Sequence, residues 1–160
     1  MKNIFLGLGT NLGDREKNLA GAQEAIALRI GKILSASGVY ETEPWGFMSD
    51  QKFLNQVVKV ESNLSPLPLL NLIHEIESDL GRVRQGVQYS SRVIDIDILL
   101  YDDIVFKHDL LQIPHPLMPE RKFVLVPLCE IEPGIVHPVR KVTIKELLES
   151  CKDNSLIRKL

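Results

Sequence analysis

Arg92-Val93-Ile94-Asp95-Ile96-Asp97-Ile98-Leu99-Leu100 is the stretch on which the reading of this chain turns. Its β-branched run predicts a strand over residues 93–100. Side chains two apart on a strand share a face, so Asp95 and Asp97 project together while Ile94, Ile96 and Ile98 go to the other side. Aspartate is disfavoured in strands, and two carboxylates on one face repel unless solvent or a cation compensates them. A hard cation such as Mg2+ suits the pair, because it is usually held by one or two carboxylates with waters and substrate phosphates. A strand whose outer face is simply solvated would carry the same Asp-Ile-Asp pattern, and the motif alone leaves both readings open. Its neighbours favour the first. Arg82, Arg84 and Arg92 lie in the polar, aperiodic segment 82–92, which predicts a long loop entering the strand, and His115 and Arg121 follow soon after it. A guanidinium fork matches phosphate oxygens. Singly each arginine is an ordinary surface charge, but several beside a carboxylate pair look like the anion and metal halves of a nucleotide phosphate site.

Before that loop, Ser65-Pro66 offers an N-cap and a proline at the first helical position, and Leu69, Leu72, Ile73, Ile76 and Leu80 form an apolar helical face that stops at Gly81. Residues 33–41 and 53–61 are strand-like, and the turn-rich connection 42–52 is long for a hairpin, as functional loops often are. At the start, Ile4 to Leu8 predicts a buried strand leaving through Gly9-Thr10-Asn11-Leu12-Gly13. A helix capped by Asp14 should follow, with Leu19, Ala22, Ile26 and Ile30 on one face and Gly31 closing it. Gly7, Gly9 and Gly13 are one residue too widely spaced for the dinucleotide fingerprint and no P-loop occurs, so they read as glycines permitting a tight turn. Beyond the aspartates, a short strand is expected at 104–106, an extended rigid segment at 113–116, a helix interrupted by Pro127 at 119–131 and a short helix at 143–150. The leading order β-α-β-β-α-β points to an α+β, ferredoxin-like antiparallel sheet flanked by helices, a three-layer sandwich.

The 160 residues suit one domain, residues 1–160, with its own core. Hydrophobic residues at 44% and charged residues at 25% are ordinary globular values, which excludes a disordered or low-complexity chain. Lys plus Arg number 19 against 21 Asp plus Glu, so the basic excess of a nucleic-acid binder is missing and anion recognition must be local. Cys129 and Cys151 make neither a disulfide framework nor a zinc site, which fits a reducing cytoplasm. No signal peptide is expected at the start, and no window reaches the roughly 18 apolar residues of a membrane span. None of the four histidines forms a nucleophile motif with Ser or Cys. Around the 42–52 connection stand Thr42, Pro44, Trp45, Phe53 and Asn55. An aromatic beside an amide can stack on a flat heterocycle and read its edge, although Phe53 alone would equally be core.

The combination of Gly9-Thr10-Asn11-Leu12-Gly13-Asp14, Tyr40-Glu41-Thr42-Glu43-Pro44, Phe53-Leu54-Asn55, Glu77 with Gly81-Arg82, Arg92 with Asp95-Ile96-Asp97-Ile98-Leu99, and Pro114-His115-Pro116 with Arg121 and Phe123 resembles the 6-hydroxymethyl-7,8-dihydropterin pyrophosphokinases of folate biosynthesis. The resemblance runs from about residue 3 to the end of the last expected helix. It implies transfer of pyrophosphate from ATP to the pterin hydroxymethyl group with release of AMP. It further implies Asp95 and Asp97 as ligands of two Mg2+ ions and Arg82 and Arg92 as catalytic arginines on the phosphates. His74, Glu77, Arg84, Ile98, His115 and Arg121 match nucleotide-side positions. Thr42, Pro44, Trp45, Phe53, Asn55, Tyr89, Asp95 and Phe123 match the pterin pocket. The chain departs from the family pattern where Tyr89-Ser90-Ser91 replaces Trp and Gly-Pro, Gln88 a basic residue, His74 a frequent Gln and Phe53 a frequent Tyr. A monomer acting without nucleic acid or membrane is expected. A non-catalytic ferredoxin-like binding module and a different ATP-dependent phosphotransferase are the competing readings.

Overall fold

The computed structural model describes residues 1–43, 52–81 and 93–160. β1 (Lys2–Thr10) lies between β4 (Phe53–Ser62) and β5 (Asp95–Tyr101), antiparallel to both. The main sheet has the order β5-β1-β4-β3-β8, where β3 is Tyr40–Thr42 and β8 Ile157–Lys159; β2 (Lys32–Ala36) also pairs with β4. Taking β2 and β3 as one interrupted second strand, this is the ferredoxin-like arrangement expected from the element order. Helices α1 (Arg15–Arg29) and α2 (Pro66–Gly81) cover one face through Leu19, Ala22, Ile26, Leu69, Ile73 and Ile76. Helices α3 (Lys122–Ile131) and α4 (Ile144–Ser150) cover the other. Three layers result, and among the described residues no helix is long and apolar enough to cross a membrane.

Alternation along the central strands divides the side chains between two cores. Ile4, Leu6 and Leu8 of β1, Leu54, Val58 and Val60 of β4, and Ile96 and Ile98 of β5 meet α1 and α2. Phe5, Val57 and Leu99 point the opposite way, against α3 and α4. At Leu99 the alternation slips by one. Phe5 pairs with Leu100 and Leu6 with Ile98, so the extra Leu99 forms a bulge, and Leu99 and Leu100 both enter the α3 core while Tyr101 returns to the α1 and α2 side. There the Tyr101 hydroxyl donates to the Leu64 carbonyl at 2.6 Å.

The local signals explain most of the elements. Asp14 caps α1, its Oδ1 accepting from the Lys17 amide at 3.1 Å. Thr143 and Glu146 form a reciprocal capping box on α4. After α1 the chain passes so close to β4 that a Cβ on Gly31 would lie 2.0 Å from the Glu61 carbonyl oxygen, so only glycine fits there.

Other expectations are corrected. The single strand expected at 33–41 is two strands, because Ser37 interrupts it and its Oγ accepts the Val57 amide at 3.0 Å. The strand expected at 104–106 is displaced to β6 (Phe106–His108), after a turn with Asp102 at φ 47°, and forms a hairpin with β7 (Leu111–Ile113). The helix expected from residue 119 is a 3-10 turn at Met118–Glu120 followed by α3, which continues through the buried Pro127. Gly7 and Gly9 do not form a turn. Both lie inside β1, paired on each side, and the left-handed residue is Gly13 at φ 64°.

Candidate active site

The sheet register assembles the site. Asp97, Gly7 and Val57 align across β5, β1 and β4; Asp95, Gly9, Asn55 and Tyr40 form the next row, continuing into β3; Phe53 and Thr42 form the last. Two-residue alternation puts all of them on the α3 face. Gly7 and Gly9 have no side chain to raise there, so a trough opens between the carboxylates on one side and Asn55 with Phe53 on the other. Glycine within a strand often marks such a close approach by another molecule, a signal the turn reading missed. A Cβ on Gly9 would stand 3.4 Å from Asn55 Oδ1 and 3.9 Å from the Phe53 ring.

This trough is a cavity of about 170 Å³, walled also by Thr42, Phe123 and Arg121. Asn55, nearly fully buried, donates from Nδ2 to the Thr42 hydroxyl at 2.7 Å, which fixes its amide plane and leaves Oδ1 over Gly9. The Arg121 guanidinium lies 5.5 Å from the centre of the Phe123 ring. An aromatic, an oriented amide and a narrow floor suit a flat polar heterocycle.

A second, more open cavity of about 310 Å³ lies beyond the edge of β5, lined by His74 and Glu77 of α2, by Ile98 and by His115. The sequence reading missed its outer wall, the β6–β7 hairpin from His108 to Gln112, because two three-residue strands show no readable period. As the outermost strand, β5 has amides that β1 cannot reach, and α2 supplies a partner. Glu77 Oε2 accepts the Ile96 amide at 2.9 Å, holding the strand between the two aspartates. On the same side the Leu99 carbonyl, exposed by the bulge, accepts the His115 amide at 3.0 Å. That bond brings the 113–116 segment alongside Asp97.

His115 Nδ1 accepts the Leu117 amide at 3.1 Å, so the ring proton sits on Nε2. Burial pushes its pKa down, the Asp97 carboxylate pulls it up, and Arg121 again lowers it. Burial also lowers Arg121, opposed by Asp97 and then Glu120. His115, Asp97 and Arg121 thus share one field at the junction of the cavities. Asp95 and Asp97 line both cavities. Among the described residues no cluster of three or more His, Cys, Asp or Glu could enclose a metal. Two carboxylates that line both cavities instead suit a hard cation completed by waters and a bound anion.

Of the residues singled out from the sequence, Thr42, Phe53, Asn55 and Phe123 gather at the first cavity. His74, Glu77, Ile98 and His115 gather at the second, and Arg121 stands at the first beside the aspartates. Pro44, Trp45, Arg82, Arg84, Tyr89 and Arg92 lie outside the described residues.

Carboxylates shared by two cavities, on a ferredoxin-like sheet, suit an enzyme that joins two small molecules. The chain belongs to the 7,8-dihydro-6-hydroxymethylpterin-pyrophosphokinase family, whose model matches residues 5–133. It is 43% identical over 148 residues to the 2-amino-4-hydroxy-6-hydroxymethyldihydropteridine pyrophosphokinase of Aquifex aeolicus, covering 91% of this chain and 90% of that one. To the enzyme of the same name from Porphyromonas gingivalis it is 44% identical over 141 residues, 86% of this chain and 95% of that one. The fold is similar to that of wild-type Plasmodium falciparum HPPK-DHPS, with a TM-score of 0.76 at 19% identity over 92% of this chain. This chain spans 43% of that larger protein. Family membership removes the reading as a non-catalytic binding module.

Proposed function

We propose that residues 1–160 act as one pyrophosphokinase domain that joins its two substrates across Asp95 and Asp97. As a member of the family the chain is a pyrophosphokinase of folate biosynthesis, with ATP as co-substrate. The hydroxymethyl oxygen of 6-hydroxymethyl-7,8-dihydropterin forms a bond to the β-phosphorus of ATP, the bond from that phosphorus to the α-bridging oxygen breaks, AMP leaves, and the hydroxyl proton passes to solvent. The observation that carries this reading is that both aspartates line both cavities, so a group bound at them lies in reach of either substrate.

The pterin occupies the glycine-floored trough, with Asn55 and Thr42 reading its polar edge and Phe53 and Phe123 against its rings. By the family resemblance Pro44, Trp45 and Tyr89 also bind the pterin, and Asp95 faces the hydroxymethyl end. ATP occupies the second cavity, with His74, Glu77, Ile98 and His115 on its nucleoside side. Arg84 and Arg121 hold phosphate oxygens, and Arg82 and Arg92 stabilise charge on the transferring group. Asp95 and Asp97 would together hold Mg2+, two ions by the family resemblance, which would supply neutralisation of phosphate charge beside the β-phosphorus. Positioning is the main catalytic task, since the phosphate supplies its own leaving group. The chain works as a cytoplasmic monomer.

Incubation with ATP, Mg2+ and the reduced hydroxymethylpterin, followed by separation of nucleotides, tests the reaction. AMP and diphosphorylated pterin should appear in equal amounts. ADP with a monophosphorylated pterin overturns the assignment in favour of a different phosphotransferase.

A further inference from the structure

Arg15, the first residue of α1, reaches across the sheet edge on the side opposite the trough. Its Nη1 donates to Glu41 Oε2 at 3.0 Å and to the Lys52 carbonyl at 2.8 Å. Glu41 directly precedes Thr42 on β3, and Lys52 directly precedes Phe53 on β4. Thr42 and Phe53 face each other as the last pair of the β3–β4 ladder. One guanidinium therefore ties both strands together at the point where their backbone pairing ends.

The two sides of this rung do different things. On the trough side Thr42 accepts the Asn55 amide, and Thr42, Phe53 and Asn55 wall the cavity. On the α1 side Arg15 and Glu41 do not line that cavity, but they are largely covered, their side chains 28% and 16% exposed. Both bonds leave Nη1, whose two N–H groups lie in the guanidinium plane, so the carboxylate and the carbonyl together fix the direction of that plane. The neighbouring Lys52–Glu43 ion pair, at 3.6 Å with both side chains more than half exposed, offers little by comparison.

We infer that Arg15, through Glu41 and the Lys52 carbonyl, is a positioning residue for pterin recognition: it sets the spacing of Thr42 and Phe53 and hence the orientation of the Asn55 amide. This rests on the pterin occupying the trough. Arg15 lines neither of the two cavities described, and its partners lie on the pterin side of Asp95 and Asp97. Its loss should therefore separate the two substrates.

Binding of the pterin and, separately, of Mg-ATP is measured by calorimetry on the full chain for wild type, Arg15→Ala, Arg15→Lys, Glu41→Gln and Arg29→Ala, with the melting temperature of each. Arg29 is the control, since it closes the same helix on ion pairs with Glu75 and Asp79 far from the trough. Arg15→Ala should weaken pterin binding by roughly tenfold or more, the scale on which displaced recognition groups act, while Mg-ATP binding stays within about twofold. Glu41→Gln, nearly isosteric, should show the same selective loss at smaller size and keeps the test decisive if Arg15→Ala folds poorly. Arg15→Lys should recover part of the affinity, and Arg29→Ala should match wild type. Unchanged pterin affinity in Arg15→Ala and Glu41→Gln, or equal loss for both substrates, overturns the assignment of Arg15 alone. A wild-type protein that binds Mg-ATP but no pterin overturns the functional reading, and this assignment with it.

Discussion

The two faces of the central strands carry opposite kinds of residue. Toward α1 and α2, Ile4, Leu6, Leu8, Leu54, Val58, Ile96 and Ile98 supply aliphatic bulk, interrupted in β4 by Gln56, whose Oε1 accepts from Gln23 of α1. Toward α3, the same strands pack Phe5, Val57 and Leu99 into the second core at one end, and at the other carry Gly7, Gly9, Asn55, Asp95 and Asp97, small and polar groups around the trough. Because strand alternation keeps the two sets apart, the α1 and α2 face is packed along the central strands while the end of the α3 face at the trough is left for chemistry. Substitutions on the two faces should therefore fail in different ways.

Asp97→Ala carries the largest expected effect. Turnover should fall on the order of 10²–10³-fold or more, as when a group stabilising transition-state charge is removed. The urea midpoint should hold or rise, because a like-charge neighbour of Asp95 has gone. An equal fall in stability would break the contrast between the faces. Leu6→Ala, one residue from Gly7, should do the reverse. It should cost about 2–5 kcal/mol in urea unfolding while the folded fraction keeps its turnover.

Gly9→Val tests the trough itself. Its methyl groups would stand where a Cβ already lies 3.4 Å from Asn55 Oδ1, so the pterin KM should rise roughly tenfold or more while the ATP KM and the melting temperature change little. The smallest effect concerns His137, away from either cavity. Its Nδ1 accepts the Val139 and Arg140 amides at 3.2 and 3.0 Å, and burial, with Arg140 beside it, lowers its pKa. The folded state thus binds fewer protons than the unfolded chain. Stability is complete above the ordinary histidine pKa of about 6.5 and is lost as pH falls through the lowered folded value, by at most about 1.4 kcal/mol per pH unit. His115 contributes with the same sign. Denaturant melts of His137→Gln between pH 7 and 5 should show a shallower pH slope than wild type.

Features carried by local periodicity were legible in the sequence. The Asp95–Asp97 face, both long helices with the Asp14 cap on the first, and the leading order of elements along the chain follow from spacing within ten or fifteen residues. The resemblance supplied the grouping of Thr42, Asn55 and Phe123 that no spacing could. What escaped depends on partners distant along the chain. Gly9 after a short apolar run looks like an exit, yet pairing with β4 and β5 on both sides keeps it extended, as it does Gly7. The three-residue strands β6, β7 and β8 are too short to display alternation, and they exist because a neighbour offers its edge. Arg15 carries no signal in the sequence, because its two partners lie 26 and 37 positions away.

The slip at Leu99 constrains how this chain can change length. Removing that one residue would leave two outcomes. Either the acidic couple would swing into the aliphatic layer, or Tyr101 would turn away from the Leu64 carbonyl and the Leu99 carbonyl would no longer be there to hold His115. Neither keeps both the catalytic surface and the wall beside it. The count of residues from Asp97 to Tyr101 is therefore invariant for a working protein, whereas the tip of the β6–β7 hairpin, around the exposed Leu110, can lengthen or shorten without changing which way any central side chain points.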